Sequence, residues 1–454
     1  MLKKNDILDV TIEDMGSEGE GVAKADGYAL FIKDALKGDK VRVKVMKMSK
    51  NYGYARVEEI LEPSPDRVKP VCKEARRCGG CQIQEMSYDA QLLFKQNKVK
   101  NNLIRIGKLN DVEVFPTIGM DNPYNYRNKA QFPVGTDKDG NIVMGFYAGR
   151  THSIIPCDDC AIGVAENKEI LEIIKEYMVK NNVKPYDEVS GTGLVRHILI
   201  RKGFKTGEIM VCIIINGDRL TATEELVSKL LLVSGMTSIS YNINKEKTNR
   251  ILGEKVINLY GEGYITDYIG DVKFKISPLS FYQVNPVQTE KLYGKALEYA
   301  GLTGDETVWD LYCGVGTISL FLAKNAKKVY GVEIVPAAIE DAKENAHINA
   351  IENSEFFVGK AEEVFPEHYK KYGEKADVIV VDPPRKGCDE ALLKTIVEMA
   401  PKRLVYVSCD SATLARDLKI LVENGFTVEK VQPVDMFPHS GHVETVACLQ
   451  RVDM

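Results

Sequence analysis

The sequence predicts a multidomain α/β chain in three parts: a small β-barrel to about residue 60, a mixed α+β region from 61 to about 275, and a doubly wound α/β domain over 276–454. Three observations carry this. Short alternating segments broken by glycine turns fill the first part. Strand-like and helix-like segments alternate regularly in the last. At 454 residues the chain also exceeds one compact core, since domains run to roughly 100–200 residues.

Apolar and charged fractions are those of an ordinary soluble protein, and no window approaches the roughly 18 unbroken apolar residues of a membrane span, so no membrane partner is expected. The opening MLKKNDILDV lacks the apolar core of a secretory signal, which points to the cytoplasm. Ten cysteines there read as ligands, catalysts or core residues rather than disulfides. A net charge of -5 argues against non-specific coating of nucleic acid. Local basic clusters, at Lys40 to Lys50, at Arg76-Arg77 and between Lys95 and Arg105, can still grip phosphates.

In the first part VTIEDM, YALFIKDAL, KVRVKVMKM and YARVEEIL read as strands, with a glycine-rich turn from Gly16 to Gly21. Val41, Val43 and Val45 alternate with Lys40, Arg42 and Lys44, which predicts one buried apolar face and one wet cationic face. Such strands suit a small closed, OB-like barrel that holds single-stranded nucleic acid along one face. The stretch resembles the TRAM domain, an RNA-binding barrel found on RNA-modifying enzymes.

Pro63, Pro65 and Pro70 mark a linker. The following VCKEARRCGGCQIQ spaces Cys72, Cys78 and Cys81 as C-x5-C-x2-C, with Gly79-Gly80 in the tight turn. Three thiols so close in a reducing compartment point to a metal or cluster, and the glycines let the backbone wrap close to it. For a fourth thiol Cys157 and Cys160 in IIPCDDCAIG both stand open. So do zinc, for which C-x2-C is a half-site, and iron–sulfur. Next, YDAQLLFKQNKVKNNLIRIG reads as an amphipathic helix, and the helical part near 87–115 can pack on the last domain. NKEILEIIKEYMVKN is a second helix, and LVRHILIRKG and EIMVCIIING form a hairpin across FKTG.

In the last part TVWDLYCGVGTISLFLAKNA is a strand, a glycine turn and a helix, with Gly314 and Gly316 letting the backbone approach a ligand. About twenty residues on, KKVYGVEIV ends in Glu333, where an acid can grip a ribose hydroxyl pair. The third glycine of the dinucleotide fingerprint is absent and Asp310 opens the motif, which fits adenosylmethionine better than a dinucleotide. ADVIVVDPPRKG ends a strand in Asp382-Pro383-Pro384-Arg385, a loop frozen by two prolines. VYVSCDSATLAR delivers Cys409 at the carboxyl end of a buried strand, into the crevice where open α/β sheets do their chemistry, which makes it a candidate nucleophile. A hairpin around FPHSGHVETVACLQR closes the chain.

Five ordered motifs, FYQVN at 281–285, DLYCGVG at 310–316, DPPRKG at 382–387, SCDSATLARD at 408–417 and HVETV at 442–446, resemble the RNA uracil-C5 methyltransferase family. With the barrel and the cysteine run, the chain looks most like the branch acting on 23S ribosomal RNA. The resemblance implies a Rossmann-like domain dependent on S-adenosyl-L-methionine over 276–454, and a four-cysteine (4Fe-4S) iron–sulfur cluster in the middle region. The implied cluster ligands are Cys72, Cys78, Cys81 and Cys160, the last because the family's fourth ligand is followed two residues on by an apolar residue, here Ile162. It also implies Cys409 as the thiolate that adds to carbon 6 of uracil, Glu444 as the base that takes the proton from carbon 5, and Gln283, Tyr312, Glu333 and Asp382 as the adenosylmethionine site. Phe281 and Tyr282 are candidates to stack on a flipped uracil, with core packing an equal account of either. The expected partner is 23S ribosomal RNA, bound by a monomer. The alternatives are a tRNA uridine-C5 methyltransferase and, in a different class, a catalytically inert iron–sulfur RNA-binding factor.

One departure bears on the chemistry. Many family members carry Asn-Pro after the nucleophile, where this chain has Asp410-Ser411. A carboxylate facing the thiol would raise its pKa above the free value of about 8.5, unless Asp410 points away or pairs with a cation such as Arg416.

Overall fold

The computed structural model of the protein describes residues 2–149 and 151–452. Near the amino terminus six strands pair in the order Ile7–Thr11, Lys40–Met48, Tyr52–Glu62, Tyr28–Lys33, Gly21–Ala25, Asp14–Met15. The sheet curls around a core that includes Val10, Ile12, Leu30, Ile32, Val41 and Val43. The valine alternation holds, with Val41, Val43 and Val45 fully buried. The expected cationic face holds only in part. Lys40 lies 2.9 Å from Glu62, and Arg42 sits between Asp9 (2.9 Å) and Glu59 (3.0 Å), so carboxylates of neighbouring strands offset these two of its three cations. What the barrel presents outward beside that face is aromatic: Phe31, Tyr52 and Tyr54 cluster with ring centroids 5.7–6.0 Å apart.

The proline-marked stretch is tied to the barrel. Buried Asp39 accepts from the N–H groups of Leu36 and Ser64 and from the Arg67 guanidinium, which also reaches Glu85.

A second, seven-stranded sheet runs from Lys255–Tyr260 through Met236–Ile243, Ile209–Ile215, Val195–Lys202, Lys129–Thr136 and Ile142–Tyr147 to the short edge Ile154–Pro156, which leads into Cys157. Its hairpin Val195–Lys202/Ile209–Ile215 is antiparallel, as the sequence expects. Helices Glu166–Lys180 and Thr223–Leu230 supply Ile170, Ile174, Leu226 and Leu230 to its core.

The helix Tyr88–Asn102 lies against the last domain, whose core takes in Val99 and Leu103. Its buried positions, Gln91, Lys95 and Val99, recur every fourth residue, whereas Leu93 is exposed. An apolar face was the expectation. The buried face is largely polar because it meets a polar turn: Lys95 Nζ pairs with Asp435, with both side chains fully buried, and also donates to the carbonyl of Phe437 at 3.0 Å. Tyr88 donates its hydroxyl to the same Asp435 at 2.9 Å.

The sheet of the last domain has seven strands, labelled here in chain order: β1 Thr307–Leu311, β2 Lys328–Glu333, β3 Ser354–Val358, β4 Val378–Val381, β5 Arg403–Ser408, β6 Phe426–Val434 and β7 Glu444–Arg451. They pair as β3-β2-β1-β4-β5-β7-β6. β1 to β5 are parallel, and β7 runs antiparallel between β5 and β6. The strand order reverses between β1 and β4, and the crevice outside the carboxyl ends there is where open α/β sheets bind ligands. Among the described residues no helix is long and apolar enough to cross a membrane.

Removing one partner of a buried ion pair leaves the other charge stranded, at a cost of about 3–5 kcal/mol. Lys95→Ala should therefore lower the calorimetric midpoint of the full-length protein clearly more than Lys402→Ala, which removes an exposed pair with Asp377. Equal shifts would contradict this account of the helix.

Candidate active site

At the switch point lies a cavity of about 1070 Å³ lined by Gln283, Tyr312, Glu333, Asp382, Cys409 and Glu444, so all six residues singled out for cofactor and catalysis face one space. Five of the six arrive on strand ends, and Gln283 comes on the loop that leads into the helix Pro286–Ala300. Glu333 closes β2, Asp382 follows β4, Cys409 follows β5, and Glu444 opens β7. Because β7 is antiparallel, its amino end lies at the carboxyl edge of the others. Ser408 stands opposite Thr445, and continuing that register by one residue sets Cys409 beside Glu444.

After β1 the backbone turns sharply through Tyr312 (φ 113°), Gly314 (φ 54°) and Gly316 (φ 80°). The glycines adopt positive φ freely. Tyr312 does not, and such strain persists only where the surroundings enforce it, typically at binding sites. A Cβ on Gly316 would sit 3.1 Å from Ala342, so the turn is also packed against the helix Pro336–Ile348.

Acidic side chains crowd this edge, and burial raises them toward the protonated form. Burial raises Asp310 to about 7, with Glu333 adding to it and the Ser319 hydroxyl opposing. Burial and then Asp310 raise Asp382 to about 7. Glu444, 6 % exposed, is raised to about 8 by burial and Asp382, against the pull of Arg385. Burial pushes the Cys409 thiol to about 12, with Glu444 and Asp382 adding and Arg385 opposing. Reading the sequence missed Arg385 as an electrostatic partner and Asp310 as a buried acid, although DPPR and the motif-opening aspartate were the available signals.

Asp410 turns away from the thiol. It caps the helix Ser411–Glu423, accepting from the N–H groups of Ala412 (2.8 Å) and Thr413 (3.1 Å). Asn-Pro and Asp-Ser are then two versions of one local solution, since asparagine and aspartate are equivalent N-caps and proline is tolerated at the first helical position. Arg416 does not pair with Asp410. It binds Asp417 and donates to the carbonyls of Lys386 (2.9 Å) and Cys388 (3.2 Å), while Asp417 accepts from the Cys388 N–H at 2.9 Å. SCDSATLARD therefore places the cysteine and clamps the DPPR loop above it.

The two aromatics of FYQVN separate. Phe281 is 68 % exposed at the cavity, and Tyr282, at 4 %, packs against Phe274 in the core.

Cys72, Cys78, Cys81, Cys157 and Cys160 line a second cavity of about 270 Å³ together with Arg127, Lys129, Gln84 and Asn167. Among the described residues no three Cys, His, Asp or Glu side chains converge as the ligands of a single metal ion would. The cavity walls nevertheless suit an anionic group. The donors Asn167 Nδ2 and Gln84 Nε2 are buried without partners, and the basic side chains lining the cavity are Arg127 and Lys129, the latter lowered to about 7 by burial and then by neighbouring Arg201 and Arg127.

The thiol gives a signed prediction. In Glu444→Gln and in Asp382→Asn, alkylation of the Cys409 peptide by iodoacetamide, followed by mass spectrometry, should set in at lower pH than in wild type. In Arg385→Ala it should set in at higher pH, and Asp410→Asn should leave it in place. A large shift in Asp410→Asn would mean that the cap geometry is wrong.

Two family models match the chain: the tRNA (uracil-5-)-methyltransferase model over residues 260–452 and the TRAM domain over residues 2–57. An uncharacterized RNA methyltransferase of Halalkalibacterium halodurans is 54 % identical over 99 % of this chain and 98 % of its own. Another, of Clostridium acetobutylicum, is 53 % identical over 100 % of this chain and 98 % of its own. Among solved structures, the Pyrococcus abyssi tRNA (uracil-54, C5)-methyltransferase in complex with S-adenosyl-L-homocysteine superposes with a TM-score of 0.79 at 29 % identity, over 97 % of this chain and 99 % of its own. With relatives this similar along its whole length and a methyltransferase sheet carrying these strand-end residues, the chain belongs to the S-adenosyl-L-methionine-dependent RNA uracil-5-methyltransferase family.

Proposed function

We propose that the protein acts as a cytoplasmic monomer that methylates carbon 5 of uridine in 23S ribosomal RNA, with Cys409 as nucleophile and Glu444 as base. The observation that carries this is the adjacency of Cys409 and Glu444 at the edge of the cavity that Gln283, Tyr312, Glu333 and Asp382 also line. Carbon 5 of uracil is too weak a nucleophile to be methylated unaided. Cys409 gives up its proton to solvent and the resulting thiolate adds to carbon 6, while the electrons of the 5,6 bond move to carbon 5, which becomes enolate-like and takes the methyl group. The bound donor supplies an electrophilic methyl group on a positively charged sulfur. Glu444 then takes the proton from carbon 5, the double bond re-forms, and the thiolate leaves unchanged. Burial raises the Cys409 thiol first, with Glu444 and Asp382 adding to it, and the acidic side chains of Glu333 and Asp382 in the cavity wall suit a sulfonium-bearing ligand. Phe281, exposed at the mouth, is the aromatic we assign to stacking on the uracil, and Tyr282 is left to the core.

Contact with the rest of the RNA falls to the barrel face that carries Phe31, Tyr52 and Tyr54. Tyr52 and Tyr54 are 40 % and 38 % exposed, and Lys47 lies opposite Tyr54 in the strand register. Stacking platforms beside lysines hold unpaired bases without sequence preference. We assign a 4Fe-4S cluster to Cys72, Cys78, Cys81 and Cys160. Thiols spread around a cavity suit a multi-iron group better than a single zinc, whose ligands converge to about 2.3 Å of one point. Such a group would cross-link the 72–81 segment to the turn at Cys160. A second reading, a tRNA substrate, is favoured by the likeness to the Pyrococcus abyssi tRNA enzyme.

Cys409→Ala should bind RNA and methyl donor yet transfer no methyl group, and tritium incorporation at the wild-type rate would end the nucleophile assignment. Methylation assays on 23S and tRNA transcripts, read as 5-methyluridine by nucleoside analysis, decide the substrate; product in tRNA alone would overturn the ribosomal reading. Anaerobic purification should give brown protein with about four irons per chain. Colourless protein holding zinc would overturn the cluster.

A further inference from the structure

The hairpin turn between β6 and β7, Asp435–Val443, carries Phe437 into the cavity and ends at Glu444. Many of its tethers come from residues far away in the chain. Lys95 donates to the carbonyl of Phe437 (3.0 Å), Tyr126 to that of Pro438 (3.1 Å) and Lys98 to that of Gly441 (2.8 Å). The densest set falls on His439 at the apex. Its N–H donates to Gln91 Oε1 (2.8 Å), Gln91 Nε2 lies 3.2 Å from its ring Nδ1, and its carbonyl accepts from both Gln82 and Ile83 at 3.0 Å. Tyr124 stacks on the imidazole at 4.6 Å. His439 is buried and has φ 69°, a left-handed backbone uncommon for a non-glycine residue and here held by all of these contacts.

A surface hairpin needs none of this. A buried histidine gripped by the helix Tyr88–Asn102, by the Tyr124 loop and by the segment immediately after Cys81 is a device for fixing the turn in one place. We infer that His439 is a positioning residue for the Glu444 carboxylate, and that through it the middle region of the chain completes the active site. The inference rests on Glu444 being the base proposed above. Slippage of a catalytic group by about 1 Å can cost about a hundredfold in rate. Here the loss falls on proton removal, after the covalent enzyme–RNA bond has formed.

The test compares His439→Ala and Gln91→Leu with His439→Asn and Glu444→Gln, all in the full-length protein with RNA transcript and methyl donor. Asparagine tolerates the left-handed backbone and can keep the bonds to Gln91. In His439→Ala and Gln91→Leu, turnover should fall about 10–100-fold while the KM for the donor stays within about twofold. The denaturant-resistant enzyme–RNA adduct should rise above wild type, as in Glu444→Gln, and His439→Asn should retain most of the activity. Unchanged turnover, or adduct and turnover falling together with the folded fraction, would reduce His439 to a merely structural residue and overturn the inference. If Glu444→Gln itself accumulates no adduct, the base assignment fails and this inference fails with it. If only the His439 and Gln91 variants lack the adduct, the base assignment stands and this inference alone is lost.

Discussion

The site is built on a thiol and two carboxyl groups held together at a buried edge where each disfavours the ionisation of the next. Cys409, Glu444 and Asp382 belong to three strands, and the parallel run of β4 and β5 alone would supply only two of them at this edge. The insertion of antiparallel β7 between β5 and β6 brings a strand's amino end there as well. Repulsion among these groups, opposed by Arg385, is carried by a ladder that cannot yield without breaking hydrogen bonds along two strands.

The loops that finish the site are held from outside it. Pro383 and Pro384 have no N–H, so the DPPR loop cannot be gripped by its amides there. Thr413 and Arg416 grip it by the carbonyls of Arg385, Lys386 and Cys388, and Asp417 takes the Cys388 N–H. On the opposite flank the turn Asp435–Val443 is anchored by Lys95, Lys98, Gln91 and Tyr126, residues more than 300 positions earlier in the chain. The middle region is thus part of the site's frame, whatever it contributes to holding RNA.

Much of this was legible in the sequence because it is local. A strand ending in Ser408-Cys409-Asp410, a glycine turn after Asp310 and a second strand ending in Glu333 follow from period and punctuation. Tyr312, Glu333, Asp382, Cys409 and Glu444 share one cavity because each sits at a strand end, and strand ends converge in this architecture; Gln283 joins them from the loop before the helix Pro286–Ala300. What stayed hidden were pairings between distant segments. Lys40 and Arg42 look like a phosphate-binding stripe until Asp9, Glu59 and Glu62 are placed beside them. Gln91 and Lys95 look like the wet face of an amphipathic helix until Asp435 and His439 are set against them. Whether Asp410 faces the thiol or points away is open in the sequence, and the fold decides it: its carboxylate is occupied by helix N–H groups.

The most direct test of the account is to map the bond in the covalent species formed by Glu444→Gln with its RNA substrate and methyl donor. After nuclease and protease digestion, mass spectrometry should find a single modified peptide, with the uridine attached at Cys409 and already one methyl heavier. Attachment at another cysteine, or an unmethylated uridine, would contradict the assignment of Cys409 as the nucleophile or of Glu444 as the base that acts after transfer.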